Sequence, residues 1–190
     1  MLIAHKRQKI KYKNKVNGTS ILTKERINLV LSALNRNTEG KTMIFANTAR
    51  SVQELAKLLK ESGVNCVEYH KLLPSGERHD NLSSFRMGNV MVLVCTDHAS
   101  RGLDIANVSH VVQAEFALNV THYLHRVGRA SRAGVDGQAT SFYDESSAEL
   151  VRSILSGGGS VEQSFSRNRG FRAKLKKIAK QTAGKVRNRS

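Results

Sequence analysis

From Gly40 onward two patterns alternate along the chain. Runs rich in apolar and β-branched residues at 42–46, 64–69, 90–95, 108–114 and 138–143 read as strands. Between them, apolar residues recur every three or four positions. Residues 51–61 place Val52, Leu55, Leu58 and Leu59 on one side, with Gly63 just past the end. Residues 75–87 place Leu82 and Phe85 inward, and residues 121–129 and 146–155 complete the set of helices. An earlier helix runs from Thr23, a suitable N-cap, to about Asn35, with Ile27, Val30, Leu31 and Leu34 at helical spacing. Five alternations of strand and helix predict an α/β fold: a parallel sheet with right-handed crossovers and helices on both faces. The run at 90–95 is the most apolar and suits the sheet centre.

Three segments follow from this pattern. Residues 1–20 form a basic, extended lead-in with room for a short edge strand. Residues 21–156 form the domain. Residues 157–190 begin with Gly157-Gly158-Gly159-Ser160 and form a basic tail too poor in apolar residues for a core. That tail is expected to stay disordered until it meets a partner. Within it, Phe171 among arginines could stack on an unpaired base or dock on the domain itself.

Charge sharpens the picture. The formal net charge is +16. Residues 1–26 hold eight Lys/Arg against one Glu, residues 157–190 hold ten against one, and thirteen of each sign cancel between them. A neutral core with two basic ends points to a polyanion, with RNA or DNA foremost. Cys66 and Cys95 lie in apolar runs and read as small buried hydrophobes of a reducing compartment, with too few ligands nearby for zinc. No apolar run approaches the roughly 18 residues of a membrane span, so no membrane partner is expected.

The candidate chemistry gathers at the ends of the predicted strands. Asn47 and Thr48, His70 and Lys71, Thr96 and Asp97, and Glu115 each follow a strand. In open parallel sheets that edge binds ligands. After it comes His125-Arg126-Val127-Gly128-Arg129-Ala130-Ser131-Arg132-Ala133-Gly134, with three arginines and a histidine in eight residues. As a helix, this stretch would put His125, Arg129 and Arg132 on one face and point Arg126 elsewhere. Such a cluster alone is more often a solvated helix face than an anion site. Arginine is nevertheless suited to phosphate, which its planar fork binds bidentately.

Taken in order, these stretches resemble a known family. Cys95-Thr96-Asp97-His98-Ala99-Ser100-Arg101-Gly102-Leu103-Asp104, followed by Tyr123 through Gly134, resembles motifs V and VI of the DEAD-box RNA helicases. Met43-Ile44-Phe45-Ala46-Asn47-Thr48 resembles motif IV, and His70, Arg78, Phe85 and Gly88 fit the segment between. The likeness covers roughly residues 20–155. It implies the second of two RecA-like domains, a three-layer fold with a parallel sheet flanked by helices on both faces. It implies ATP with Mg2+ as the nucleotide, RNA as partner, and an N-terminal RecA-like domain that would carry the Mg2+ ligands. Asp104 would bind the ribose of ATP, and Arg129 and Arg132 would act on the triphosphate as catalytic arginine fingers. His125, Arg126, Arg101 and Gly102 would serve the contact between domains. Asn47, Thr48, Arg78 and Thr96 would contact RNA phosphates.

Several positions depart from the family pattern. Lys71 replaces a usual glycine, Ser75 a frequent glutamine, Ser131 a glycine and Cys95 an alanine. The first two put the RNA contacts of residues 70–78 in question. No Gly-x-x-x-x-Gly-Lys-Ser/Thr loop and no Asp-Glu-Ala-Asp occur in the sequence. The chain is therefore expected to be a fragment of a helicase or a protein that lost its first domain, and not to hydrolyse ATP alone. The alternatives are a non-catalytic, single-lobe RNA-binding protein with basic tails, and a helicase acting on DNA.

Overall fold

The computed structural model describes residues 4–9, 24–35, 40–100, 105, 108–130 and 137–156. In chain order the elements are β1 (Ala4–Lys9), α1 (Lys24–Asn35), β2 (Lys41–Phe45), α2 (Ala49–Glu61), β3 (Cys66–Tyr69), α3 (Ser75–Met87), β4 (Val92–Cys95), β5 (Val108–Gln113), α4 (Val120–Val127), β6 (Gln138–Tyr143) and α5 (Ala148–Ser156). All strand pairs are parallel, in the order β1-β6-β5-β2-β4-β3.

Alternation along the central strands sends side chains to two faces. Ile44, Val94 and Val112 pack under α1 and α2 with Val30, Val52, Leu55 and Leu59. Met43, Phe45, Leu93 and Val111 pack under α3 with Leu82 and Phe85. Ala139, which pairs with Val111, meets Tyr123 and Val127 of α4 and Val151 of α5. The result is the expected three-layer fold with helices on both faces. β4 is interior, between β2 and β3, but the strand buried at every position is β2. Arg26 of α1, itself buried, reaches Asp144 after β6 at 3.7 Å and ties the first helix to the far end of the sheet.

Residues 4–9 form the short edge strand for which the lead-in had room, β1, in parallel register from Ala4 opposite Gln138 to Lys9 opposite Tyr143. One boundary differs from expectation. α4 stops at Val127 instead of running to Arg129. Gly128, a poor helix former, caps it, and Arg129 and Ala130 bond back to Arg126 and Val127 in tighter turns. Residues 157–190, with the Phe171 segment, lie outside the described residues.

One glycine is fixed by close approach. A Cβ on Gly137, at the entry to β6, would lie 1.3 Å from the carbonyl oxygen of Ala130. Gly137→Ala must therefore push backbone apart just after α4. It is expected to destabilise the domain by about 1–3 kcal/mol, read from urea unfolding. An unchanged midpoint would mean the two segments separate freely.

His110 of β5 is fully buried, and its Nε2 lies 3.0 Å from Thr140 Oγ1. Burial lowers its pKa from 6.5 to about 4. The unfolded chain thus takes up this proton at higher pH than the folded one. The associated stability is fully present above about pH 6.5 and is lost as pH falls toward 4, amounting to roughly 2 kcal/mol at pH 5. Urea unfolding at pH 7 and pH 5 should show this loss in the wild type, and a smaller one in His110→Gln. Equal losses in both would remove His110 as the cause.

Candidate functional site

The helix after β2 packs on one face of the sheet and the helix after the adjacent β5 packs on the other. Where neighbouring connections diverge in this way, a crevice opens outside the carboxyl ends of the strands. Asn47 follows β2, Asp97 follows β4 and Glu115 follows β5, so the three lie side by side on that edge.

Arg126 joins them. Its side chain is completely buried and crosses from α4 to the strand ends. Nε donates to Asp97 Oδ1 at 2.7 Å, and Nη2 donates to Asp97 Oδ2 at 2.8 Å, a bidentate pair. Nη2 also donates to Asn47 Oδ1 at 2.7 Å. Nη1 donates to the Glu115 carbonyl at 2.8 Å and to Gln113 Oε1 at 3.3 Å. The guanidinium carbon lies 5.3 Å from the centre of the Phe45 ring. A buried charge survives only when its donors are matched, and here the acceptors come from three adjacent strand ends. His122 Nδ1 lies 3.2 Å from Asp97 Oδ2. Glu115 braces the other flank, accepting from Asn47 N at 2.6 Å and from Ser51 Oγ at 3.2 Å.

Two of the expected site residues have partners within this domain. The resemblance assigns Arg126 to the contact between domains; here its side chain is bonded within this one and fixes α4 against the sheet. The resemblance assigns Asn47 to RNA phosphate; here its amide accepts from Arg126 and donates to the Phe116 carbonyl at 3.1 Å.

The other candidates divide by exposure. His125 is exposed on α4, and Arg129 is partly exposed beside it, its Nε 3.4 Å from the His125 carbonyl. Thr48 is exposed and caps α2, its hydroxyl accepting from Ser51 N at 3.0 Å. Thr96 sits partly exposed at the end of β4. Arg78 reaches from α3 toward the carbonyls of Lys71 at 3.5 Å and Leu73 at 3.4 Å, shaping the loop after β3. Since β2, β4 and β3 are neighbours, Thr48, Thr96 and the Arg78 loop form a row along one edge. Arg101, Gly102, Asp104 and Arg132 lie outside the described residues.

Gln113 was absent from the expected chemistry, and its one available signal was its polarity at the end of the apolar run Val108–Gln113; Glu115 was named at a strand end without a role. Among the described residues no group of three or more His, Cys, Asp or Glu could hold a metal, and no helix is long and apolar enough to cross a membrane. Burial raises the Cys66 thiol to about 11 and pushes Cys95 higher still, so both are protonated core side chains.

The fold and this arginine-locked edge are those of a RecA-like lobe. The model of the helicase conserved C-terminal domain matches residues 25–134, and the chain belongs to that family, in its DEAD-box branch. DEAD-box ATP-dependent RNA helicase 22 of Arabidopsis thaliana is 47% identical over 76% of this chain, which covers 25% of that protein. The structure of S. cerevisiae Dbp5 bound to RNA and ADP BeF3 superposes with a TM-score of 0.65 at 30% identity, over 69% of this chain and 35% of that one. E. coli DEAD-box protein SrmB, bound to regulator of ribonuclease activity A, gives a TM-score of 0.61 at 34% identity, over 68% of this chain and 76% of that one. The chain spans about a quarter of the length of the curated relatives it matches.

Proposed function

We propose that this chain is the second RecA-like lobe of an ATP-dependent RNA helicase, offering positive charge to ATP and a backbone-binding edge to RNA. The observation that carries this reading is the buried Arg126 hub, which locks α4 to three strand ends and so presents His125 and Arg129 outward. A fixed guanidinium costs little reorganisation when charge develops on a phosphoryl group. Arg129, with Arg132, would neutralise that charge, and Asp104 would hold the ribose. ATP, when bound, supplies the phosphoryl group that passes to water.

The guanidinium of Arg129 suits the anionic end of a nucleotide. Among the described residues, the carboxylates at the hub are Asp97 and Glu115, and both are bonded within this domain. Mg2+ would therefore take its ligands from an N-terminal RecA-like domain. The row of Thr48, Thr96 and Arg78 can hold a sugar-phosphate backbone without reading sequence. Asn47, whose backbone amide is bonded to Glu115 and whose side chain is bonded to Arg126 and Phe116, would have a supporting part in that row. Closure of two such lobes on ATP and RNA would strain a short duplex, and hydrolysis would release it.

The test is RNA-stimulated ATP hydrolysis by this chain alone, then with a DEAD-box N-terminal domain added separately. Silence alone and activity with the added domain support the reading. Silence in both, with RNA still bound, would instead indicate a non-catalytic RNA-binding lobe. Stimulation by DNA equal to that by RNA would move the substrate to DNA.

A further inference from the structure

Two rings rise from the edge at the ends of β3 and β4. Tyr69 ends β3 and is only 7% exposed. His98, in the 3-10 turn Asp97–Ser100 after β4, is exposed. Their rings are stacked, with centroids 6.0 Å apart and planes 17° from parallel. The strands bring them together: Tyr69 pairs with Cys95, and Thr96 N donates to the Tyr69 carbonyl at 3.3 Å. Tyr69 thus flanks the imidazole in an offset stack, while His98 as a residue stays open to solvent. The neighbouring acid, Asp97, turns away to Arg126 and His122.

The surroundings are mixed in a particular way. Lys71 is exposed in the loop after β3, and Leu72 beside it is 67% exposed. Arg78 shapes that loop from below. An exposed apolar side chain, a supported flat ring and two cations on one edge match an unpaired nucleotide. The ring and Leu72 suit the base, and Lys71 and Arg78 suit the phosphate. Thr96, a proposed phosphate contact, is two residues from His98 in the chain. An exposed ring set nearly parallel beside a buried one is also preorganised, so little freedom is lost when a base extends the stack.

We infer that His98 is a stacking platform for one base of single-stranded RNA, adding a base contact to an edge otherwise built for the backbone. This rests on the proposed RNA reading. Stacking tolerates any base, so it would add affinity without sequence preference.

The experiment is fluorescence anisotropy of the full chain with a single-stranded RNA decamer and with an all-abasic decamer of equal charge. The proteins are the wild type, His98→Ala, His98→Phe and Arg78→Ala. His98→Ala should bind the intact decamer about tenfold more weakly. His98→Phe should bind it as the wild type does. The abasic decamer should bind the wild type more weakly and be indifferent to His98→Ala. The salt dependence should be the same in wild type and His98→Ala, because no phosphate contact is lost. If His98→Ala binds like the wild type while Arg78→Ala is weakened, the platform is wrong and the RNA reading stands. Equal weakening of both decamers by His98→Ala would also overturn stacking. If the wild type binds neither decamer, both the platform and the RNA reading fall.

Discussion

Replacing Arg126 with alanine is expected to lower the unfolding free energy of this domain by roughly 3–5 kcal/mol, the range for breaking a buried ion pair by removing one partner. The reason lies in what stays behind. Asp97 is only 15% exposed and would keep a carboxylate with its bidentate donor gone. Asn47 Oδ1, the Glu115 carbonyl and Gln113 Oε1 would each lose a donor in a buried setting. Lysine should recover little. Its ammonium is a compact charge with three donors, whereas the native fork reaches acceptors on three strand ends. Asp97→Asn should cost less, because the amide keeps one acceptor. The double variant Arg126→Ala with Asp97→Asn should fall well short of additive, since the second change removes the orphaned charge left by the first. Urea unfolding followed by circular dichroism measures all four. A loss below about 1 kcal/mol in Arg126→Ala would mean that water replaces the guanidinium readily, and the hub would not be what holds α4.

The sequence pattern carried the layers of this fold further than it carried the wiring of the site. Val52, Leu55 and Leu59 at helical spacing, and the runs at 42–46 and 108–114, placed their elements because one buried face imposes a period on the side chains. That logic fails for β1. Ala4–Lys9 has no apolar period, and its place beside β6 shows in backbone register. The end of α4 was missed for a local reason. The arginine spacing suggested a continuous helix, while Gly128 ends it after Val127. Arg126 was legible in one respect, because helical spacing turned it away from His125. Its partners were not, since Asp97 lies 29 residues away and Asn47 lies 79 residues away. Only the strand order brings β2, β4 and β5 together, and that order is a property of the whole sheet. Family motifs named these residues without saying which face inward. Arg126 and Asn47 are bonded into the edge, whereas His125 and Thr48 are exposed and Arg129 is partly so.

That separation makes Arg129→Ala the sharpest functional prediction. In a protein joining this chain to a DEAD-box N-terminal lobe, the change is expected to reduce ATP turnover by about a thousandfold, the scale of removing an arginine that meets charge on a transferring phosphoryl group. The unfolding free energy should move by less than about 1 kcal/mol, because Arg129 is partly exposed and lies beyond the last turn of α4. Stability thus distinguishes it from Arg126→Ala, which should lose both stability and turnover. The kinetic split is equally specific. An arginine whose contact forms mainly in the transition state lowers kcat and leaves KM nearly unchanged. Arg129→Lys keeps the charge but loses the planar fork, so its turnover should lie between alanine and wild type. Steady-state ATP hydrolysis at saturating RNA measures each variant. Wild-type kcat in Arg129→Ala would remove this side chain from the reaction, and a large rise in KM at constant kcat would make it a ground-state binding residue.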